Sequence, residues 1–222
     1  MIELVISSTL STVILLSFGN LFCSYFFNEK IYLNNNYSEN SLYGVIILSF
    51  LALLVNFFFP INKYVGSIVL LIGSILFFVY FKKTNNKKGL IIYILYTSAL
   101  TIILLLLSNI NRPDAGLYHL PYISLINENK IIIGATNIHF RFGHISIIQY
   151  LSAIYNNYIF STSMITVPLA SLVSIFLIYL TTQFFLFLKK NKYISIFIFL
   201  ILIFSFFNFN RYSSLGNDAP GH

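Results

Sequence analysis

Asp114, in the run Asn111-Arg112-Pro113-Asp114, follows directly on a long apolar stretch, so its carboxylate is expected at a membrane edge. There it can act as a general base on a bound hydroxyl, or simply complement the dipole of the helix that follows. His119, His139 and His144 lie downstream, with Arg141 between Phe140 and Phe142. No pair of these histidines has the i, i+4 spacing of a metal site on one helix face, and no metal is assigned to them. Arg141 suits a lipid phosphate, through charge-assisted hydrogen bonds, or serves as a snorkelling anchor on headgroups. A second acid, Asp218, stands in Gly216-Asn217-Asp218-Ala219-Pro220-Gly221-His222, a run that also reads as a turn.

These side chains need a scaffold, and the composition says which solvent it faces. Hydrophobic types make up 58% of the 222 residues and charged types 9%, which excludes an ordinary soluble domain. A bilayer core takes roughly 20 apolar residues per helix. The chain offers about six such runs, at 4–27, 42–60, 64–81, 89–108, 160–188 and 193–209. They are continuously apolar rather than alternating, which excludes a transmembrane barrel. The expectation is an all-α polytopic transmembrane helix bundle, one domain over 1–222, with Pro168 as a kink in the fifth span. The first run follows Met-Ile-Glu with neither a basic lead nor a small-residue cleavage site, and so reads as a retained anchor.

The net charge of +7 does not point to nucleic acid, because the basic residues cluster between apolar runs. Lys82, Lys83, Lys87 and Lys88 occupy one loop and Lys189, Lys190 and Lys192 another. Two spans separate them, so both loops fall on one side, assigned as cytoplasmic. The segment 109–159 and the residues after 209 then face outward. Cys23 is the only cysteine, which removes disulfide frameworks and cysteine-based metal sites. Gly-rich phosphate loops, a G-x-S-x-G elbow and H-E-x-x-H are absent, leaving soluble nucleotide-dependent chemistry without support.

Segment 109–159 holds three of the four histidines and two of the six acids, and a loop this long between spans is seldom mere connection. Over 145–155 it sets Ser146, Gln149, Ser152 and Asn156 against Ile147, Ile148, Leu151 and Ile154, the pattern of a helix lying flat in the outer interface. Over 114–129 it is helix-prone, with Pro121 expected to break or bend it.

The run Pro113-Asp-Ala-Gly-Leu-Tyr-His-Leu-Pro121, continued by Gly134 and Asn137-Ile-His-Phe-Arg-Phe-Gly143, resembles the first outer loop of bacterial multi-spanning glycosyltransferases of the GT-C type. The stretch around Asp218 is similar to the second outer-loop acidic motif of the same enzymes. The resemblance implies a helical membrane bundle whose extracytoplasmic loop carries interfacial helices, in the bacterial inner membrane. It implies a polyprenyl-phosphate sugar as donor, a glycan or lipid acceptor in the cell envelope, and contact with membrane lipid. Asp114 matches the catalytic base, and Asp218 the acid that orients the acceptor or helps bind a divalent metal. Tyr118, His119, Arg141, His144 and His222 fall at substrate-binding positions. Enzymes of this type are usually twice as long, so the chain is expected to be an N-terminal fragment. Two rivals stand beside this reading: an O-antigen polymerase or ligase relying on His119 or His144, and a transporter or non-catalytic membrane protein. The near absence of ionisable residues within the spans disfavours transport.

Overall fold

A segment crossing a bilayer must satisfy every backbone polar group within itself, and these apolar runs do so as helices. The computed structural model describes residues 1–26, 36–107, 115–143 and 146–207. Among the described residues there are eight α-helices and no strand. They are α1 (Ile2–Phe26), α2 (Tyr37–Phe58), α3 (Lys63–Lys83), α4 (Lys87–Leu107), α5 (Leu120–Glu128), α6 (Ile147–Ile154), α7 (Val167–Lys190) and α8 (Lys192–Phe207). Five are long and apolar enough to cross a membrane: α1 to α4, and α7 with the 3-10 turn Thr162–Thr166 that leads into it. The protein is thus an all-α helical bundle with the spans of a membrane protein. The sixth expected run corresponds to α8, whose 16 described residues reach about 24 Å, short of a hydrocarbon core of about 30 Å.

Polar residues between the apolar runs set the helix boundaries. Asn62 opens α3 by accepting from the backbone N–H groups of Tyr64 and Val65, and Asn191 does the same for Tyr193 and Ile194 at the start of α8. Lys82 and Lys83 close α3, and Lys189 and Lys190 close α7, where cations favour the helix C-terminus. Pro168 lies in the first turn of α7 instead of kinking its interior. The reason is that the chain before it winds as a 3-10 turn, leaving proline a position where no N–H is needed.

The hub is α1, which packs against α2, α3, α4 and α7. In its spanning window 56% of residues are buried, against 17% for α3, which lies at the periphery. Gly19 of α1 and Gly44 of α2 bring the two backbones together: a methyl group on Gly19 would overlap the carbonyl of Asn40, and one on Gly44 that of Leu15. Such small-residue crossings are the usual device by which helices associate in lipid. Beside the crossing, buried Asn40 donates from Nδ2 to Oδ1 of Asn20 at 2.6 Å.

The segments between α4 and α7 gather at one end of the bundle. The turn from α2 to α3 is tied to them by the Ile61 N–H donating to the Ile126 carbonyl at 3.0 Å, and the start of α1 by the Ser161 N–H donating to the Glu3 carboxylate. From that end α3 runs away to Lys82 and Lys83, α4 returns from Lys87 and Lys88, and α7 runs away again to Lys189 and Lys190. Both lysine clusters therefore share the end opposite the loop.

Candidate functional site

The loop is attached through a gap in the hydrogen bonding of α2. An α-helical carbonyl accepts from the N–H four residues on, but four residues after Asn56 stands Pro60, which has none. The Asn56 carbonyl instead takes the N–H of Ile131 at 2.9 Å. The Asn56 side chain, buried at the same spot, donates from Nδ2 to the carbonyls of Asn129 at 3.0 Å and Ile126 at 3.3 Å. One asparagine so fixes the C-terminal end of α5 against the last turn of α2. Asn56→Ala removes both of these side-chain hydrogen bonds, which together cost about 1–3 kcal/mol. The expected result is a lower melting temperature in detergent together with faster proteolysis within 115–143; unchanged cleavage would show that the loop is held elsewhere.

Before α5, Ala115–His119 form a single π-helical turn, a geometry that recurs at functional sites because it re-aims side chains out of α register. Pro121 sits in the first turn of α5, so it starts this helix instead of breaking one over 114–129. The turn sends its last two rings in different directions. His119 goes inward and is 2% exposed, with Nε2 of Gln149 donating to its Nδ1 at 2.7 Å, so that in this amide orientation the ring carries its proton on Nε2. Tyr118 remains half-buried beside it.

Gln149 belongs to α6, and here the structure corrects an expectation. The helix over 145–155 does not present a wet polar face; it is observed as Ile147–Ile154 and is packed on by α2, α3, α5 and α7. Gln149 and Ser152 are as buried as Leu151 and Ile154. The polar stripe that suggests an interface is occupied by another polar side chain, His119, which meets it inside the protein. Ser146 caps this helix by accepting from the Ile148 N–H. Below it, the hydroxyls of Tyr122 and Tyr150 meet at 3.2 Å, and burial first, then the neighbouring hydroxyl, holds the Tyr122 phenol above its ordinary range.

On the exposed side of this cluster the two halves of the motif come together. The Arg141 guanidinium lies 4.7 Å over the ring of Tyr118, a cation–π geometry, and 5.6 Å from the ring of Phe140. His139 stands nearly parallel to Tyr118, its Nδ1 accepts from the Arg141 N–H at 3.3 Å, and it packs on buried Phe142. Three expected site residues, Tyr118, His119 and Arg141, thus share one cluster with His139 and Gln149. Asp114, His144, Asp218 and His222 lie outside the described residues, as do Arg112 and Arg211. Among the described residues no three His, Cys, Asp or Glu side chains come close enough to hold a metal ion.

The family described as "Domain of unknown function (DUF8201)" matches residues 1–221. The chain belongs to that family. No curated protein and no solved structure matches it. For this DUF8201 chain the geometry adds two residues that sequence reasoning passed over, Asn56 and Gln149. Asn56 had a visible signal: a lone amide in the last turn of an apolar helix, four residues before a proline. Gln149 had none beyond its place on a polar stripe.

Proposed function

We propose that this protein is a membrane glycosyltransferase of the GT-C type. It moves a sugar from a polyprenyl-phosphate donor to a glycan or lipid acceptor of the cell envelope. In this reading the loop end faces outward from a bacterial inner membrane, which the shared position of the two lysine clusters supports, since basic loops tend to stay in the cytoplasm. The observation that carries the reading is the stacking of Arg141 on Tyr118. It joins parts of the motif more than twenty residues apart into one surface, four residues along the chain from Asp114, with a cation held where a phosphate can meet it.

In the mechanism, Asp114 takes the proton of an acceptor hydroxyl as its oxygen attacks the anomeric carbon. The bond from that carbon to the phosphate oxygen breaks, and polyprenyl phosphate departs with the electron pair, its charge met by Arg141. The leaving group needs no strong acid. His119, locked to Gln149, holds the π-helical turn in place, and Asp218 orients the acceptor. A lipid-phosphate donor suits a site beside the bilayer, where nucleotide sugars are absent.

The test is turnover by the protein in nanodiscs supplied with defined polyprenyl-phosphate sugars; failure to consume any of them, with well-folded protein, would count against the reading. Within that assay Arg141→Ala should raise the donor KM about tenfold, the worth of one charge-assisted hydrogen bond, with little change in kcat. An unchanged KM would remove Arg141 from donor binding.

A further inference from the structure

We infer that the tip of the loop, around Ile132 and Ile133, is inserted into the lipid leaflet beside the last turn of α2. The hydrogen bond from the Ile131 N–H to the Asn56 carbonyl fixes its depth, since it sets residue 131 where the N–H of the next residues of α2 would lie, at the end of a spanning helix. That position is level with Phe59 and Pro60, where the span ends and the hydrocarbon boundary is met. The neighbouring surface at this level is Phe57, Phe58 and Phe59, each more than half exposed, which is what a span end offers to hydrocarbon and its boundary. Ile133, two residues on from that hydrogen bond, is 98% exposed. Gly134, with φ of 81°, turns the chain immediately afterwards, in a conformation that favours glycine, and so leaves Ile133 at the apex with no protein cover. The same short segment exposes Ile138 and Phe140, while Lys130 stands just before the tip, where a cation can reach lipid phosphates.

Isolated surface isoleucines need no explanation, but an apex of this kind at the level of a spanning helix does. The exposed Phe57–Phe59 run at the end of α2, to which Ile131 is bonded, selects lipid as the occupant over water or a protein partner. The part that enters lipid is then the tip at Ile132 and Ile133, and not the helix at 147–154, which the protein covers. This inference depends on the membrane reading alone and holds whether or not Asp114 catalyses transfer.

The experiment uses the full chain with Cys23→Ser in vesicles of phosphatidylcholine and phosphatidylglycerol, carrying a nitroxide at Ile133→Cys. Collision rates with oxygen, which concentrates in lipid, and with a water-soluble nickel chelate are compared with those at Leu71→Cys, on the exposed face of peripheral α3, and Asn85→Cys, in the lysine loop. The expected result is an oxygen-to-chelate ratio shifted to that of Leu71→Cys. A ratio equal to that of Asn85→Cys places the tip in water, and slow collisions with both reagents place it under protein; either overturns the inference. Ile132→Cys in the same series guards against a perturbed apex.

Discussion

Replacing Asp114 by Asn should lower the transfer rate by about 10²–10⁴-fold, the range that a positioned general base contributes. The amide matches the carboxylate in shape but cannot accept the acceptor's proton, so the loss should fall on kcat. On this proposal the donor KM should hold, because the donor's charge falls to Arg141, which stacks on Tyr118. Steady-state kinetics with one defined polyprenyl donor, run beside Arg141→Ala, separate the two roles: one variant loses rate, the other affinity. Wild-type rates in Asp114→Asn would end the glycosyltransferase reading. The polymerase or ligase rival makes the opposite assignment, with His119 or His144 indispensable and Asp114 dispensable. Because His119 is buried against Gln149, a loss in His119→Ala counts for that rival only if the variant still folds.

The spans were legible in the sequence because each signal for them is local. Runs of apolar residues give their extent, and asparagines and lysines satisfy or complement several of the helix termini, as Asn62 and Lys82 do for α3. The two prolines were misread for a local reason as well: Pro121 and Pro168 both sit in first turns, and which residue begins a helix depends on the π and 3-10 turns before them, which no periodicity announces. The loop was legible in its residue types and not in its pairings. Nothing along the chain couples His119 to Gln149 or Tyr118 to Arg141, since those contacts exist only after the segment closes on the bundle. The failure over 145–155 has the same origin. An amphipathic pattern reports that one side of a helix wants polar company, and water, a headgroup or a buried imidazole can each supply it.

Gly44→Leu should prevent the bundle from assembling. Overpacking normally costs about 1–3 kcal/mol because neighbouring side chains can turn aside. Here the obstacle is the carbonyl of Leu15 in the backbone of α1, which cannot move without shifting the whole helix. Separating α1 from α2 would also break the buried Asn20–Asn40 hydrogen bond and leave two amides facing lipid or each other at unsuitable range. Since α1 is the element on which α2, α3, α4 and α7 all pack, the damage cannot stay at one interface. Against a total stability of about 5–15 kcal/mol, the sum is enough to leave little native protein. Size-exclusion profiles in mild detergent should show aggregate where the wild type gives a single peak. Gly116→Ala supplies the control, because a methyl group there meets nothing within 4 Å and should leave the profile unchanged. A well-behaved Gly44→Leu protein would mean that the α1–α2 contact can open without cost, and the closeness of that crossing would then owe nothing to the glycines.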